Sequence, residues 1–488
     1  MNILSKTIIN RTVLRIPALL AILILTGCAA VGPDYVQPET SVAASWHSRL
    51  EGGLTAEEID PQTLASWWTT LNDPELSSLV KQAVAGNLDL KNAWARVREA
   101  RARRGLAKTD MFPTLDITGS DTCTRSSKET GTGQTTQLYK ASFDSGWELD
   151  IFGGVRRSVE AAEADLQAAQ ENLHDVLVSL LAEVALNYIE VRTYQSRLNA
   201  SQGSIDAQNE TYQLTLWRYQ AGLSDELATH QARYNLESTR SQIPILRTGL
   251  DEAMNRIAVL LGEQPGKVHK QLEKWEPIPE TSIKVAVGVP PDLLRRRPDI
   301  RQAERELAAQ TARIGVATAD LYPKFKLSGS IGMTAPSLNH LLTNLSTTDN
   351  WALSGGPQIS WTAFDAGAVR RNIEIQSALQ EQALIQYEAT VISALEEVEN
   401  ALMSFAEEQR KRDSLHEATQ AAQMAVELAQ DKYEAGLADF SDVLDAQRSL
   451  LSFEDQLAQS NGTVTSNLIR LYKALGGGWT SMPANEKK

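Results

Sequence analysis

The sequence predicts a mainly α-helical chain with a smaller β part, built from two copies of one unit. Each copy is a short helix, a pair of strands and a long helical hairpin. The first observation behind this is an internal repeat: Tyr219-Gln-Ala-Gly222-Leu223-Ser-Asp225 returns 214 residues later as Tyr433-Glu-Ala-Gly436-Leu437-Ala-Asp439. The same offset carries Val155-Arg156-Arg157 onto Val369-Arg370-Arg371 and Leu261-Gly262 onto Leu475-Gly476. Phe112-Pro113 and Gly119-Ser120 return as Tyr322-Pro323 and Gly329-Ser330 at an offset of 210, so the two halves slip by only four residues. The second observation is a seam of Leu177, Val184, Val191, Leu198, Ile205, Tyr212 and Tyr219 at strict seven-residue spacing, the pattern of a coiled coil. The third is strict alternation of apolar and polar residues in four short stretches, the mark of strands with one apolar and one wet face.

Taken in order, residues 1–27 read as a secretory signal peptide. Lys6, Arg11 and Arg15 precede the apolar run 16–25, which is too short to span a bilayer and closes on Leu25-Thr26-Gly27-Cys28. That ending resembles a bacterial lipobox and implies cleavage before Cys28 with covalent lipid (palmitate among its chains) on the thiol. Ala29, in place of an aspartate, favours sorting to the outer membrane. Loss of the leader would take the formal charge from −14 to −17 by removing three basic groups. Residues 28–73 form an extended, lipid-anchored segment punctuated by Pro33, Pro38 and Pro61.

The first repeat occupies residues 74–265: a helix over 74–109, strands at 113–124 and 137–150, and a helical hairpin over 154–262. A linker covers 266–290. The second repeat covers 291–478, with a helix over 298–320, strands at 324–334 and 351–362, and a hairpin over 366–476; residues 479–488 are a tail. Gly222 and Gly436 suit left-handed helix ends, and Asp225 and Asp439 suit the N-caps of the returning helices. Pro244 should kink or break the first return helix, and Pro357 marks an edge or a bend in its strand. In the second long helix Leu395, Val398, Leu402 and Phe405 fit a seam that Arg412 and Thr419 interrupt. The arginines at 96, 98, 101, 103 and 104 read as a solvated or ion-paired helix face.

Composition excludes several function classes. A strongly acidic chain is a poor partner for nucleic acid, whose phosphates demand a basic surface. His47, His174, His230, His269, His340 and His416 lie scattered, without metal-ligand spacing, and no phosphate-binding glycine loop or nucleophile elbow occurs. These features predict a protein that is not an enzyme and has no metal or cofactor beyond the lipid on Cys28. After Cys28 the remaining cysteine is Cys123, so no internal disulfide is available. No apolar run after residue 28 reaches eighteen residues, which leaves only strands to cross a membrane. Four strands are too few to close a barrel, and left open they expose edges. Several chains must therefore share one barrel; the spacing alone does not choose three copies over four.

Several strings carry a family resemblance. They are Val31-Gly32-Pro33-Asp34-Tyr35, Trp67-Trp68 ahead of Asp73-Pro74, Leu293-Leu294-Arg295-Arg296-Arg297-Pro298-Asp299-Ile300, and Asp442-Val443-Leu444-Asp445-Ala446-Gln447. On these the mature chain resembles the TolC-like outer membrane efflux proteins, in the lipoprotein branch called the NodT type. The resemblance implies a homotrimer with a twelve-stranded outer-membrane β-barrel, continued by a twelve-helix α-barrel across the periplasm. It also implies docking to a periplasmic adaptor (membrane fusion) protein and an inner-membrane transporter of the resistance–nodulation–division class, with antibiotic resistance as an outcome.

By the same resemblance, Asp442 and Asp445 form a cation-attracting periplasmic gate. The residues alone fit equally well a first-turn carboxylate pair that complements a helix dipole. The arginines that latch this mouth in some relatives have no counterpart at Ala438. The two turns, with Tyr219, Gly222 and Leu223 and with Tyr433, Gly436 and Leu437, are where an adaptor would dock. Two other readings remain open at this point: the outer component of a type I secretion system, and a structural coiled-coil lipoprotein without a pore.

Overall fold

The computed structural model describes residues 30–40, 42–58, 60–279, 285–343 and 350–479. The signal peptide, Cys28 and the tail beyond 479 lie outside the described residues. The chain divides into two compact units. One comprises residues up to Glu39, Arg96–Ala169 and Gln302–Tyr387; the other comprises Thr40–Ala95, Gln170–Arg301 and the chain from Glu388 onward. Six strands occur among the described residues: β1 (Leu54–Thr55), β2 (Thr114–Arg125), β3 (Thr135–Leu149), β4 (Val285–Ala286), β5 (Lys324–Ala335) and β6 (Trp351–Ser360).

In the first unit β2, β3, β5 and β6 form one antiparallel sheet in the order β2-β3-β5-β6. The alternation read from the sequence becomes rows across the sheet. Ile117, Phe143, Ile331 and Leu353 stand in register, and each is exposed. The adjacent row, Asp116, Asp144, Ser330 and Ser354, is polar and points to the opposite face. One face is therefore apolar and the other wet. Pro357 sits opposite Leu327 in β6, an edge strand of this sheet, where proline is tolerated.

The repeat is visible in atomic detail below the strands. Trp147 donates its indole N–H to the carbonyl of Met111 (3.0 Å), and Trp361 donates to Leu321 (3.1 Å). Asp150 and Asp365 each accept from two backbone amides at the start of the long helix that follows. The extended leader is fastened to both copies, with the Tyr35 hydroxyl donating to Glu304 of the second (3.0 Å). Val31 donates to the Phe152 carbonyl, and the buried Arg157 holds the Val31 carbonyl (3.1 Å) and the Asp34 carboxylate (2.6 Å). Gly32 has φ +88°, and a Cβ there would stand 2.4 Å from the Cα of Gly315, so glycine is required. Part of the basic helix face is ion-paired: Arg103 with Glu99, and Arg104 with Glu163.

The long helices are Gly154–Gln220 and Ala368–Glu434, each of 67 residues, or roughly 100 Å at about 1.5 Å per residue. Along the seam within the second unit Val184, Val191 and Ile205 are buried, while Leu177, Leu198 and Tyr212 are half-buried and Tyr219 is exposed. The counterpart seam buries Val398, Leu402 and Phe405, then resumes at Leu415, Ala422 and Val426, beside the expected breaks at Arg412 and Thr419. The first return helix is interrupted after Arg240 and restarts at Ile243, with Pro244 in its first turn, where a missing N–H costs nothing. The second return helix, Phe440–Ala474, is continuous.

Two expectations are corrected. The segment expected to be extended over 28–73 carries a helix, Pro61–Ala65, capped by Asp60, and a 3-10 turn, Trp67–Leu71. The helix expected over 74–109 is two helices, Pro74–Gly86 and Leu88–Thr109, separated at Asn87. The Asn87 side chain caps the second of them through the Leu90 amide (2.8 Å) and donates to the Leu260 carbonyl (2.9 Å). The same break falls between Pro290–Arg296 and Pro298–Ala319, at Arg297, which is 210 residues further on. Arg297 donates to the Ala474 carbonyl (2.8 Å), the repeat counterpart of Leu260. A neutral amide and a guanidinium thus fill one slot, each closing the C-terminus of a return helix. Arg297 is nearly buried and also meets Asp299 and Glu397, each at 2.7 Å.

Beside this cluster, burial and the neighbouring Asp299 push the Asp175 carboxyl above its ordinary value, against the pull of Arg297 and Lys473. A raised folded-state pKa means that this contribution to stability is complete below the ordinary carboxylate value, about 3.9, and is lost as the pH rises through the higher folded value. Asp175→Asn removes that loss. The variant should unfold at a higher temperature than the wild type at pH 7, with the gap closing toward pH 4, as followed by helical circular dichroism. A lower midpoint at pH 7 would contradict this reading of the cluster.

Candidate functional site

Both long helices end in the same backbone device within the second unit. Gly222 and Gly436 have φ +71° and +72°. Leu223 N–H reaches back to the Arg218 carbonyl and Gly222 N–H to Tyr219; Leu437 N–H reaches Lys432 and Gly436 N–H reaches Tyr433. These are paired Schellman closures, which satisfy carbonyls that a helix end would otherwise leave unpaired. No atom lies within 4 Å of a Cβ placed on either glycine, so the backbone conformation alone demands the residue. Leu223 and Leu437 are 71% and 79% exposed, too far into water for residues of an internal turn core.

The two tips meet through a small apolar cluster of Ala228, Ala232, Phe440 and Leu444, with Tyr212 and Tyr433 against it. The two repeat tyrosines accordingly differ. Tyr433 is half-buried, its ring 5.3 Å from Phe440 and 4.7 Å beneath the Arg218 guanidinium. Tyr219 is 41% exposed. Asp225 caps its helix through the Ala228 amide (3.0 Å), whereas Asp439 occupies the N-cap without a side-chain bond, a departure from the paired caps expected.

Asp442 and Asp445 lie in the opening turns of Phe440–Ala474, and both are exposed. Three-residue spacing places them on one helix face. Among the described residues no side chain pairs with Asp442, while Asp445 stands 3.5 Å from Arg448. The positions 214 residues earlier are Ala228 and Gln231, so the acidic pair belongs to the second copy alone. Arg448 was not anticipated. It donates to the Asn235 side-chain oxygen (2.8 Å) and the Tyr234 hydroxyl (2.5 Å), tying the second return helix to the first behind the acid pair. Gln447 adds a buried bond to Thr211 at 2.9 Å. The available signal was positional: Arg448 is the repeat counterpart of Tyr234, the residue it touches. Taken together, the tip is an apolar knot with two exposed leucines and, at Asp442, a carboxylate that no basic side chain pairs among the described residues. No group of three or more His, Cys, Asp and Glu able to hold a metal ion occurs among the described residues.

Comparison with known proteins follows the same two-fold plan. The model of the outer membrane efflux protein family matches residues 79–263 and 289–477, one match to each half of the repeat. Nodulation protein T of Rhizobium leguminosarum bv. trifolii is 33% identical over 468 residues, covering 94% of this chain and 96% of the relative. The toluene efflux pump outer membrane protein TtgI of Pseudomonas putida is 31% identical, covering 94% of this chain and 97% of the relative. The solved outer-membrane channel OprN superposes with a TM-score of 0.86 at 36% identity, over 92% of this chain and all of that one. The chain belongs to the outer membrane efflux protein family, as a TolC-like outer membrane channel of the NodT type.

Proposed function

We propose that three copies of this chain close their sheets into one twelve-stranded barrel in the outer membrane. The helical hairpins then continue the duct into the periplasm as a twelve-helix barrel. The observation that carries this reading is the sheet itself, four antiparallel strands with an apolar face and two edge strands, β2 and β6, whose outer sides have no partner strand among the described residues. Lipid tolerates neither an unpaired edge nor a barrel of four strands. Trp351 and Trp361 bracket β6 ten residues apart, about 33 Å along a strand at 3.3 Å per residue. Tilted by roughly 40°, that becomes about 25 Å, the height of an outer-membrane apolar band between aromatic girdles.

In this reading the chain is the passive exit of a tripartite efflux pump, whose energy comes from an inner-membrane transporter of the resistance–nodulation–division class. The exposed turns at Tyr219, Gly222 and Leu223 and at Tyr433, Gly436 and Leu437 receive a periplasmic adaptor. Asp442 and Asp445 from each copy form the cation-attracting gate, and the confinement of this pair to one repeat supports a role beyond helix capping. Cys28 carries the lipid anchor; the fastening of Val31 to Phe152, three residues beyond it, supports an anchor close to the sheet. Substrates of relatives, such as the toluene of the TtgI pump, point to small toxic compounds as cargo. Their selection belongs to the pump.

Three measurements test this reading. Native mass spectrometry of the detergent-solubilised protein should give a trimer, and a stable lone chain would end the barrel proposal. Asp442→Ala combined with Asp445→Ala should raise single-channel conductance in planar bilayers and weaken block by polyvalent cations, whereas unchanged conductance removes the gate. Gly436→Val places a β-branched residue at positive φ, a strain of about 1–2 kcal/mol confined to the tip. It should abolish complementation of an efflux-deficient strain while the protein still assembles; full resistance would count against adaptor docking there.

A further inference from the structure

The two repeats meet once inside the chain, within the first unit. There the helix Pro298–Ala319 of the second repeat runs antiparallel to the helix Gly154–Gln220 of the first. Ala164 packs on Ala308 and Ala309, and Arg313 meets Asp165 at 2.5 Å. The tightest point of this joint is Gly315. A Cβ there would stand 2.8 Å from Cγ of Arg157, 2.9 Å from its Cδ and 2.9 Å from the Val31 carbonyl oxygen. The glycine thus leaves a notch that Arg157 fills. Glu160, one turn along the same helix, braces the guanidinium at 2.8 Å.

The central parts of that joint recur, unfilled, at the two outer edges of the chain. The offset of 210 carries Ala312, Arg313 and Gly315 onto Ala102, Arg103 and Gly105, in the helix Leu88–Thr109 that leads into the edge strand β2. The offset of 214 carries Arg157 and Glu160 onto Arg371 and Glu374, in the helix that follows the edge strand β6. Arg371 keeps the same brace, with Glu374 at 2.6 Å. Nothing lies within 4 Å of a Cβ placed on Gly105, so no contact within the chain calls for glycine at a position where it weakens a helix. Positions buried at the inner joint are bare at the edges. Ala312 and Ala161 are 1% and 5% exposed; their counterparts are the exposed Ala102 and Ile375, the latter 57% exposed. The edges also carry opposite charges. Arg98 lies seven residues before Gly105 and Glu381 ten after Arg371, and both are exposed.

We propose that the outer edges join between copies of the chain as the repeats join within one. Arg371 of one copy fills the notch at Gly105 of the next, with the helix Leu88–Thr109 antiparallel to the neighbour's Ala368–Glu434. Arg98 and Glu381 then face each other across the joint, less than one turn apart in height. The joint rests on the trimer proposed above and adds to it a surface, a register and the reason for Gly105.

The test uses the full-length protein in detergent, on a Cys123→Ser background, with Gly105→Cys and Arg371→Cys combined. At the inner joint the equivalent Cβ atoms lie at most about 4.3 Å apart, the 2.8 Å above plus one C–C bond of about 1.5 Å, which suits a disulfide. The two positions sit at opposite edges of the sheet and cannot bridge within one chain, so oxidation should link chains. Denaturing, non-reducing gels should show two-chain and three-chain species from the double variant and only single chains from either single variant. Gly105→Leu favours an isolated helix but fills the notch, so its trimer should dissociate about 10 °C or more below wild type on heating, as followed by gel mobility. That variant decides the matter should the double variant fail to assemble. If wild type forms no trimer, the barrel reading falls and the joint with it. If the trimer forms but oxidation links no chains, or Gly105→Leu dissociates at the wild-type temperature, the joint alone is overturned.

Discussion

The constraint on which the structure depends is the edge of a four-stranded sheet. Each of β2 and β6 pairs with a neighbour on one side, and among the described residues no strand pairs with its other side. Water can solvate such an edge, but the apolar rows through Ile117, Phe143, Ile331 and Leu353 turn the same sheet toward a medium that offers no hydrogen bonds. The two requirements conflict within one copy, and the proposed trimer reconciles them by joining edges between copies. In that proposal the wet opposite face, with Asp116, Asp144, Ser330 and Ser354 in register, lines the lumen.

A second theme is the use of buried arginines as fasteners. Arg157, Arg192 and Arg297 each hold a backbone carbonyl and a carboxylate, respectively securing the leader, the linker loop and the end of a return helix. A guanidinium suits this work because its planar fork carries five donors and stays charged when buried. In a chain with a formal charge of −14, the carboxylates that complete each cluster are plentiful. The long helices pack with few aromatics, and the Arg297 node registers the end of a return helix, at Ala474, against the long helix that bears Glu397.

Much of the fold was legible because the repeat states it twice. The four strands were visible from alternation alone, and the Gly-Leu turns from the need for a positive φ at Gly222 and Gly436. What escaped depended on partners far along the chain. The break at Asn87 carried a local signal, Gly86-Asn87, but its reason lies in the Leu260 carbonyl, 173 residues away. Arg448 reads as an ordinary surface residue until Tyr234 and Asn235 are brought beside it. The unequal burial of Tyr219 and Tyr433 likewise comes from tertiary packing, since their local sequences are nearly the same. For Asp442 and Asp445 the spacing disclosed a shared face, yet not that only Asp445 has a basic neighbour.

The restriction of the acidic pair to the second repeat has a consequence for how an aperture built from these tips behaves. In the proposed ring of copies, hairpins from the two repeats alternate, so blades with the Asp442 and Asp445 pair alternate with blades that carry Ala228 and Gln231 in its place. The mouth of such a ring has the symmetry of the copies rather than that of the helices.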